Sequence, residues 1–201
     1  MPFRKHGGVV TKNIGHRLGG TSPHTDNTIQ SLQNTISRVE EPGFKYWEFD
    51  VHESADGILF VFHDDFIVNQ GKNHLVRDLS FAQIIEFGSQ IGVEIPPLTD
   101  VVSELEVRDE PVMIEIKNLM TDQARESIID ITNGRSGWNL MSSIGRFEKS
   151  FPDNLGYWKN RVESAGSKLV LIRRHDINLF DFCGNYLKWK LLKLKIRLTR
   201  K

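Results

Sequence analysis

Residues 47–65, WEFDVHESADGILFVFHDD, place carboxylates and histidines inside a pattern that is otherwise typical of β-strands. Successive side chains of a strand point to opposite faces of a sheet, so Glu48 and Asp50 share one face, while the apolar residues beside them share the other. We predict two strands, at residues 46–53 and 58–63, joined by a Gly-containing turn. A buried strand seldom carries so many ionisable groups, and their presence indicates a functional site.

The rest of the chain alternates between strand-like apolar runs and segments with helical periodicity. Further strands are predicted at residues 8–15, 111–117, 138–145 and 168–174, and helices at residues 29–39, 80–88, 96–106, 121–131 and 146–166. Asp26 or Thr28 is the expected N-cap of the first helix. This alternation is typical of an α/β protein with a parallel sheet, and a TIM (β/α)8-type barrel is the favoured form. Because fewer than eight strands are recognisable, we expect a barrel that is incomplete or truncated at its C-terminal end.

The charge of the chain is balanced overall but unevenly distributed. Its 201 residues include 26 Lys and Arg and 26 Asp and Glu, so the net charge gives no preference for nucleic acid. Residues 185–201, NYLKWKLLKLKIRLTRK, hold seven basic residues and no acid, whereas the preceding 184 residues hold 19 basic and 26 acidic residues. We therefore predict one barrel domain at residues 1–184 and a separate basic tail at residues 185–201.

Cysteine usage and hydropathy indicate a reducing compartment. Cys183 is the single cysteine, which excludes an internal disulfide. The first residues lack the apolar core of a signal peptide, and no apolar run is long enough for a membrane-spanning helix. We expect a soluble, cytoplasmic protein.

A further strand offers a carboxylate that can join the first two. In PVMIEIK, at residues 111–117, Glu115 and Lys117 share one face. If Glu48, Asp50 and Glu115 converge at one end of a parallel sheet, their charges repel each other unless a proton or a cation lies between them. Donor sets made of oxygen atoms favour a hard ion, so one divalent cation, Mg²⁺ or Ca²⁺, is the predicted cofactor.

Histidines and basic residues complete a set of groups suited to phosphodiester cleavage. Two histidines near the carboxylates can serve as a general acid and a general base. Arg17 and Lys117 can hold an anion, and the planar guanidinium group of Arg17 suits bidentate contact with a phosphate. Together with a cation, these side chains indicate hydrolysis of a phosphodiester.

Five motifs in order make the chain similar to the glycerophosphodiester phosphodiesterase family. They are GHRLGG at residues 15–20, DNT at 26–28, EFDVHESADGILFVFHDD at 48–65, IPPL at 95–98 and EIK at 115–117. Each motif alone is weakly specific, but the ordered set is highly specific. The resemblance implies a TIM barrel that hydrolyses small-molecule glycerophosphodiesters to glycerol 3-phosphate and an alcohol with a divalent cation.

The resemblance also implies roles for individual residues. These are acid–base catalysis for His16 and His63, metal binding for Glu48, Asp50 and Glu115, and phosphate binding for Arg17, Lys117 and Asn27. Two positions depart from the usual motifs, because Leu18 stands where the family usually has Gly and Asp26 where it usually has Glu. Leu18 is expected to crowd the phosphate side of its loop unless Gly19 and Gly20 restore the turn. His52 shares the face of the two strand carboxylates but belongs to no motif, so we expect a structural role for it.

Two other functions remain open. A catalytically inactive, truncated member of the family would bind a phosphorylated ligand or a partner, and the exposed sheet edges of an incomplete barrel would favour pairing. A phospholipase-D-like toxin of the same superfamily is disfavoured because no signal peptide is recognisable. The complete set of acid, base and metal positions favours the enzyme, although neither its alcohol group nor its oligomeric state follows from the sequence.

The basic tail supports a hypothesis of its own. In KWKLLKLKIRLTRK, apolar residues alternate with lysines at the period of a strand, but so many lysines do not suit a barrel interior. Basic residues beside Trp and Leu favour an anionic membrane surface, at about 1 kcal/mol per basic residue near it. We hypothesise an exposed tail that associates weakly with anionic lipid; the competing interpretation is a disordered or sequence-damaged terminus.

The tail hypothesis predicts that the protein sediments with anionic vesicles at low salt and is released at high salt. The reason is that the Debye length shortens from about 30 Å at 0.01 M to about 3 Å at 1 M ionic strength. A form without residues 185–201 is the control and should stay in the supernatant. Absence of binding at low salt, or binding that the deletion leaves unchanged, would refute the hypothesis.

Overall fold

The structure of the protein is a computed structural model, and it describes residues 13–172. The strand predicted at residues 8–15 lies mostly outside the described residues. Cys183, the domain boundary at residue 184 and the basic tail at residues 185–201 lie outside them entirely. Within residues 13–172, no helix has both the length and the apolar character needed to cross a bilayer.

The described residues contain seven strands and six α-helices, with four strands in succession at residues 47–75 and an alternation of strands with helices from residue 112 onward. The strands are β1 Trp47–Glu53, β2 Leu59–Val61, β3 Phe66–Asn69, β4 Lys72–Leu75, β5 Val112–Asn118, β6 Trp138–Ser143 and β7 Leu169–Ile172. The helices are α1 Ile29–Thr35, α2 Phe81–Gln90, α3 Leu98–Leu105, α4 Asp122–Thr132, α5 Ile144–Ser150 and α6 Leu155–Ser164. Short 3-10 helices occur at His16–Gly19, Ile36–Arg38 and Val76–Asp78.

The main sheet has five strands in the order β2-β1-β5-β6-β7, and β3 pairs with β4 in a separate hairpin. Strands β1, β5, β6 and β7 run parallel, whereas β2 is antiparallel to β1. The predicted α/β fold with a parallel sheet is confirmed. A complete TIM barrel has eight parallel strands, so the part of the chain that the structure describes is an incomplete barrel.

Side-chain caps determine where the helices begin. The Thr28 hydroxyl accepts a backbone N–H of the first turn of α1, which makes Thr28 rather than Asp26 the N-cap. Ser80 and Gln83 form a capping box at the start of α2. Helix α2 continues past Gly88, where the sequence predicts its end, because a helical glycine costs only about 1 kcal/mol relative to alanine.

The β3–β4 hairpin is a feature that the sequence pattern does not predict. Its strands have four residues each, too few to show a clear alternation. Gln70 and Gly71 form the turn with φ values of 48° and 76°, the left-handed values that a two-residue type I′ turn requires. Ile67 of β3 packs with Ile84 of α2 in a small second core. Tertiary packing against α2 therefore supports a turn that lacks the usual Asn-Gly or Asp-Gly signal.

Strand β1 is buried on both faces and carries a different chemistry on each. Trp47, Phe49 and Val51 are fully buried in the main core, together with residues of α1, α3, α4 and β5. Glu48 and Asp50 are buried on the opposite face. The predicted division of this strand into an apolar face and an ionisable face is confirmed.

Leu18 joins the main core from the loop that precedes α1. Its side chain is fully buried, although its φ of 56° lies in the left-handed region that residues other than glycine rarely adopt. The leucine thus packs into the core, and of the two alternatives for this position its inward packing favours the one in which it does not crowd the phosphate side of the loop. Burial of its side chain offsets the strain of its backbone.

We expect Leu18→Ala to lower the free energy of unfolding by about 2–5 kcal/mol, as large-to-small core changes do. Leu18→Gly should lower the free energy of unfolding by no more than Leu18→Ala does. Glycine adopts the left-handed backbone conformation without the strain of about 1–2 kcal/mol that other residues incur there. Urea denaturation followed by circular dichroism measures both. Val107→Ala is the control: Val107 is 82% exposed, and surface changes stay within about 0.5 kcal/mol. A glycine variant clearly less stable than the alanine variant would contradict the backbone argument.

Candidate active site

The parallel pairing of β1 with β5 brings three carboxylates together. Asp50 is the register partner of Glu115, and Glu48 lies two residues before Asp50 on the same face of β1. One oxygen atom from each carboxylate lies within 4.8 Å of the other two. The structure therefore brings together the three side chains that the sequence predicts as metal ligands.

Lys117 lies inside this carboxylate cluster. Its Nζ atom is 2.7 Å from Asp50 Oδ1 and 2.6 Å from Glu115 Oε1. Burial lowers the pKa of Lys117, but the two carboxylates outweigh burial, so the net shift of its pKa is upward. The lysine is thus held as a buried cation between two of the three acids.

A register shift places the end of β5 beside the ionisable face of β1. Val51 pairs with Ile116, whereas the next residue, His52, pairs with Asn118. Lys117 is therefore an extra residue without a register partner on β1, as in a β-bulge. Because paired residues of neighbouring strands share a face, the shift brings Asn118 alongside His52 while Lys117 still reaches the carboxylates.

Glu48 has one oxygen atom that the protein leaves unsatisfied. Its side chain is buried, and its Oε2 atom accepts the backbone N–H of Arg17 at 2.9 Å. Its Oε1 atom is buried and has no hydrogen-bond partner among the described residues. Burial, followed by the charges of Asp50 and Glu115, raises the pKa of Glu48 well above its ordinary value. A buried, unpartnered oxygen within an all-oxygen donor set fits a divalent cation such as Mg²⁺ or Ca²⁺.

Asp50, in contrast, is held as an anion. Its Oδ2 atom accepts the side-chain amide of Asn27 at 2.8 Å. Burial raises the pKa of Asp50, but the electrostatic effects of its neighbours, first among them Lys117, outweigh burial, and the net shift of the Asp50 pKa is downward. Asn27 adopts a left-handed φ of 64°, and its backbone N–H donates to the Arg17 carbonyl oxygen at 2.9 Å. The geometry makes Asn27 a residue that orients Asp50; its predicted contact with phosphate stays a prediction.

The loop His16–Gly19 brings Arg17 to the edge of the cluster. Arg17 Nη1 lies 2.6 Å from Asp26 Oδ2, and its Nε lies 3.8 Å from Asp50 Oδ2. Gly19 allows this loop to pass close to α1, because its φ is +81° and an added Cβ would lie 2.2 Å from Thr35 Oγ1. The aspartate at position 26, although shorter than the glutamate that is usual in the family, reaches Arg17.

Both predicted catalytic histidines lie near the carboxylates and are partly exposed. His16 Nε2 is 3.7 Å from Glu48 Oε2. His63 Nδ1 is 2.8 Å from Asp64 Oδ1, and since an ionised carboxylate only accepts hydrogen bonds, Nδ1 donates and Nε2 is left to exchange a proton. The structure thus adds Asp64 as a residue that orients His63.

One ion pair at the site is missed by the sequence prediction. Arg146 of α5 donates two hydrogen bonds to Asp65, each 2.8 Å long, and a third to the Lys117 carbonyl oxygen at 3.0 Å. Asp65 is the last residue of the FHDD motif, so the sequence alone identifies it as an acidic residue near the site. Arg146 lies 81 residues away and belongs to none of the quoted motifs, so only tertiary packing shows that the two side chains meet.

The fold and the site together define a class: an α/β protein of the TIM-barrel type with a carboxylate and histidine site at the ends of its parallel strands. The description of the matching family model is glycerophosphoryl diester phosphodiesterase family, and the match spans residues 16–146. The chain belongs to this family.

Individual relatives agree with this assignment. The glycerophosphocholine phosphodiesterase GDE1 of Eremothecium gossypii is 29% identical over 85 residues, which are 41% of this chain and 6% of that protein. The crystal structure of glycerophosphodiester phosphodiesterase from Agrobacterium tumefaciens has a TM-score of 0.52 at 23% identity, over 72% of this chain and 64% of that one. The crystal structure of a glycerophosphodiester phosphodiesterase from Parabacteroides distasonis has a TM-score of 0.50 at 18% identity, and the match covers 77% of this chain and 80% of that one. The structural similarities show the fold, and the chain spans less than two thirds of the first two relatives.

Glu48→Gln is expected to abolish stabilisation by divalent cations without harming the cation-free fold. The change replaces the carboxyl group whose ionisation is opposed by burial and by the neighbouring acids, so in excess EDTA the melting temperature should equal or exceed that of the wild type. A cation at about 100 times its Kd stabilises a native site by about 2.7 kcal/mol, which corresponds to about 5–11 °C for a chain of this size. Differential scanning fluorimetry with Mg²⁺ or Ca²⁺ measures the shift.

The exposed change Glu86→Gln is the matched control and should keep the wild-type shift. A wild-type melting temperature that neither cation raises, or an equal rise in Glu48→Gln, would show that this carboxylate holds no metal.

Proposed function

We propose that the protein hydrolyses glycerophosphodiesters to glycerol 3-phosphate and an alcohol, using one divalent cation and histidine acid–base catalysis. The observation that carries this proposal is the convergence of Glu48, Asp50 and Glu115, whose oxygen atoms lie within 4.8 Å of one another. His16 and His63 border the same cluster. Membership of the family supports the proposal.

The proposed cation binds to the three carboxylates. Since every donor is an oxygen atom, the fitting ions are Mg²⁺ and Ca²⁺. A bound divalent cation supplies positive charge that polarises a phosphoryl oxygen and stabilises the charge that develops there. Glu48 contributes the buried oxygen that has no other partner. Lys117 contacts the remaining two acids and limits their repulsion.

The proposed proton transfers use the two histidines. One ring accepts a proton from the attacking water, and the other donates a proton to the oxygen of the departing alcohol; the bond from phosphorus to that oxygen breaks as the bond to water forms. Asp64 holds Nδ1–H of His63, so the transfer occurs at Nε2. The Glu48 carboxylate, 3.7 Å from His16 Nε2, stabilises that ring when it carries the proton.

The proposed phosphate contacts come from Arg17 and Lys117, with Asn27 at the border. The Nη1 atom of Arg17 is committed to Asp26 at 2.6 Å. This ion pair orients the guanidinium group, which has further N–H groups for a phosphate oxygen. Asn27 contributes through Asp50, to which it donates a hydrogen bond.

A second candidate function is a family member that binds a phosphorylated ligand without hydrolysing it. The specific observation in its favour is that Lys117 already neutralises Asp50 and Glu115 through short contacts. An ammonium group in that position can stabilise the carboxylates without a metal ion. The two candidates differ in one measurable property, which is turnover.

The test is release of glycerol 3-phosphate from glycerophosphoglycerol, glycerophosphoinositol and glycerophosphocholine. We expect turnover of at least one ester with Mg²⁺ or Ca²⁺, its loss in excess EDTA and its return on adding the cation. His16→Ala and His63→Ala should each lower the rate by about 10²–10⁴-fold, the usual contribution of general acid–base catalysis. His74→Ala, a change in β4 outside the site, is the control and should keep the wild-type rate.

Undiminished turnover in EDTA would exclude the metal requirement, and a wild-type rate in either histidine variant would exclude that residue as catalyst. No turnover of any ester in the presence of the cation would favour the binding function.

A further inference from the structure

A cleft of about 950 Å³ opens beside Lys117, which is the one lining residue of this cleft that the proposed function already uses. Its walls come from the end of β5, the hairpin of β3 and β4, and helix α5. The Asp65–Arg146 ion pair joins the hairpin side to α5 and fixes the distance between these walls. Lys117 lines the cleft and also touches Asp50 and Glu115, so the cleft adjoins the proposed metal site.

His52 lines this cleft and has buried ring nitrogens that nothing satisfies. Its side chain is 1% exposed, and neither Nδ1 nor Nε2 has a hydrogen-bond partner among the described residues. A neutral imidazole ring offers one hydrogen-bond donor and one acceptor. Its ring stacks on Phe60 with centroids 5.6 Å apart, which fixes its orientation. Leaving both nitrogens unpaired is costly, so a polar ligand or water is expected there.

Asn118 is the second unsatisfied polar group of the cleft. Its Nδ2 atom is buried and has no hydrogen-bond partner among the described residues. The register shift of β5 makes it the pairing partner of His52, so the two side chains lie next to each other on one face. Together they present a donor and acceptor pattern that matches neighbouring hydroxyl groups.

The charge of the cleft argues against a cationic ligand. Five basic and three acidic side chains line it. Phe66 is the single aromatic hydrocarbon ring among the described lining residues, whereas sites for quaternary ammonium groups are typically cages of several aromatic rings. An uncharged or anionic group therefore suits this cleft better than a choline group does.

The size of the cleft argues for the larger and variable part of a substrate. Pockets of about 300–1,000 Å³ accommodate ligands well beyond the three carbons of a glycerol unit. The cleft is near the upper end of that range. It has room for a ring with several hydroxyl groups.

We propose that this cleft binds the alcohol part of the glycerophosphodiester and selects a polyol, such as glycerol or inositol, over a cationic alcohol such as choline. His52 and Asn118 donate and accept the hydrogen bonds to its hydroxyl groups. The inference rests on the proposed function and adds the class of alcohol that the site prefers. A site built to hydrogen-bond a hydroxyl group discriminates strongly against an analogue without one.

The test compares glycerophosphoinositol with glycerophosphocholine in the cation-loaded full chain. We expect the wild type to show kcat/KM at least about tenfold higher for the inositol ester, since each neutral hydrogen bond changes affinity by about two- to tenfold. His52→Phe keeps the stacking on Phe60 but removes both ring nitrogens, so it should lower the value for the inositol ester alone and bring the ratio near one. His74→Phe, outside the cleft, is the matched control and should keep the wild-type ratio.

Thermal unfolding separates recognition from folding. Because His52→Phe removes buried nitrogens without partners, its melting temperature should equal or exceed that of the wild type; a structural role would lower it. Asn118→Ala is a second variant that removes only the amide, and it should lower the ratio as well. A wild type that prefers the choline ester, or variants that slow both esters equally, would overturn the proposal while the proposed function stands.

If no ester is hydrolysed, the proposed function fails, but the inference about the cleft can still be tested by measuring how tightly each ester binds. The Kd values of both esters are measured by calorimetry in the His63→Ala background with Mg²⁺ or Ca²⁺. Tighter binding of the inositol ester that His52→Phe abolishes supports the cleft assignment. Equal affinities for the two esters, or affinities that the variant leaves unchanged, refute it.

Discussion

The contacts of Lys117 with Asp50 and Glu115 form the interaction on which the rest of the site depends. Carboxylates buried this deeply persist as anions only when cations and hydrogen-bond donors surround them. The lysine Nζ atom lies within 2.7 Å of both acids, and it therefore helps to hold the buried Asp50 as an anion in the interior of an α/β sheet. Breaking such a pair would leave an uncompensated buried charge. The register of β5 against β1 is constrained accordingly.

The loop before α1 and the strand β1 meet this constraint in different ways. Asn27 donates to Asp50, and Arg17 places its guanidinium group between that acid and Asp26. Glu48 is treated differently, because it receives one backbone N–H and keeps a buried oxygen without a partner. Asp50 is stabilised as an anion, whereas Glu48 is not. A cation bound at this edge of the sheet would therefore stabilise the charged form of Glu48.

The cleft beside Lys117 depends on elements that are distant in the chain. The β3–β4 hairpin follows the FHDD motif, whereas α5 follows β6, and the Asp65–Arg146 ion pair connects the two sides. Two unsatisfied polar side chains, His52 and Asn118, lie where β1 and β5 end. In this family member the charged side chains of the site thus lie at the ends of parallel strands, and the segments that connect the strands form the walls of the neighbouring cleft.

The sequence by itself determined the alternation of strands and helices, the two faces of β1, and the residues that gather at the site. These follow from local periodicity and from motifs whose order is visible in one dimension. It did not determine the β3–β4 hairpin, whose strands are short and whose turn begins with Gln70. It also did not determine the inward packing of Leu18 or the pairing of Arg146 with Asp65. The register shift that makes Asn118 the partner of His52 was decided by tertiary structure alone, because register and long-range ion pairs depend on how two separate segments pack against each other.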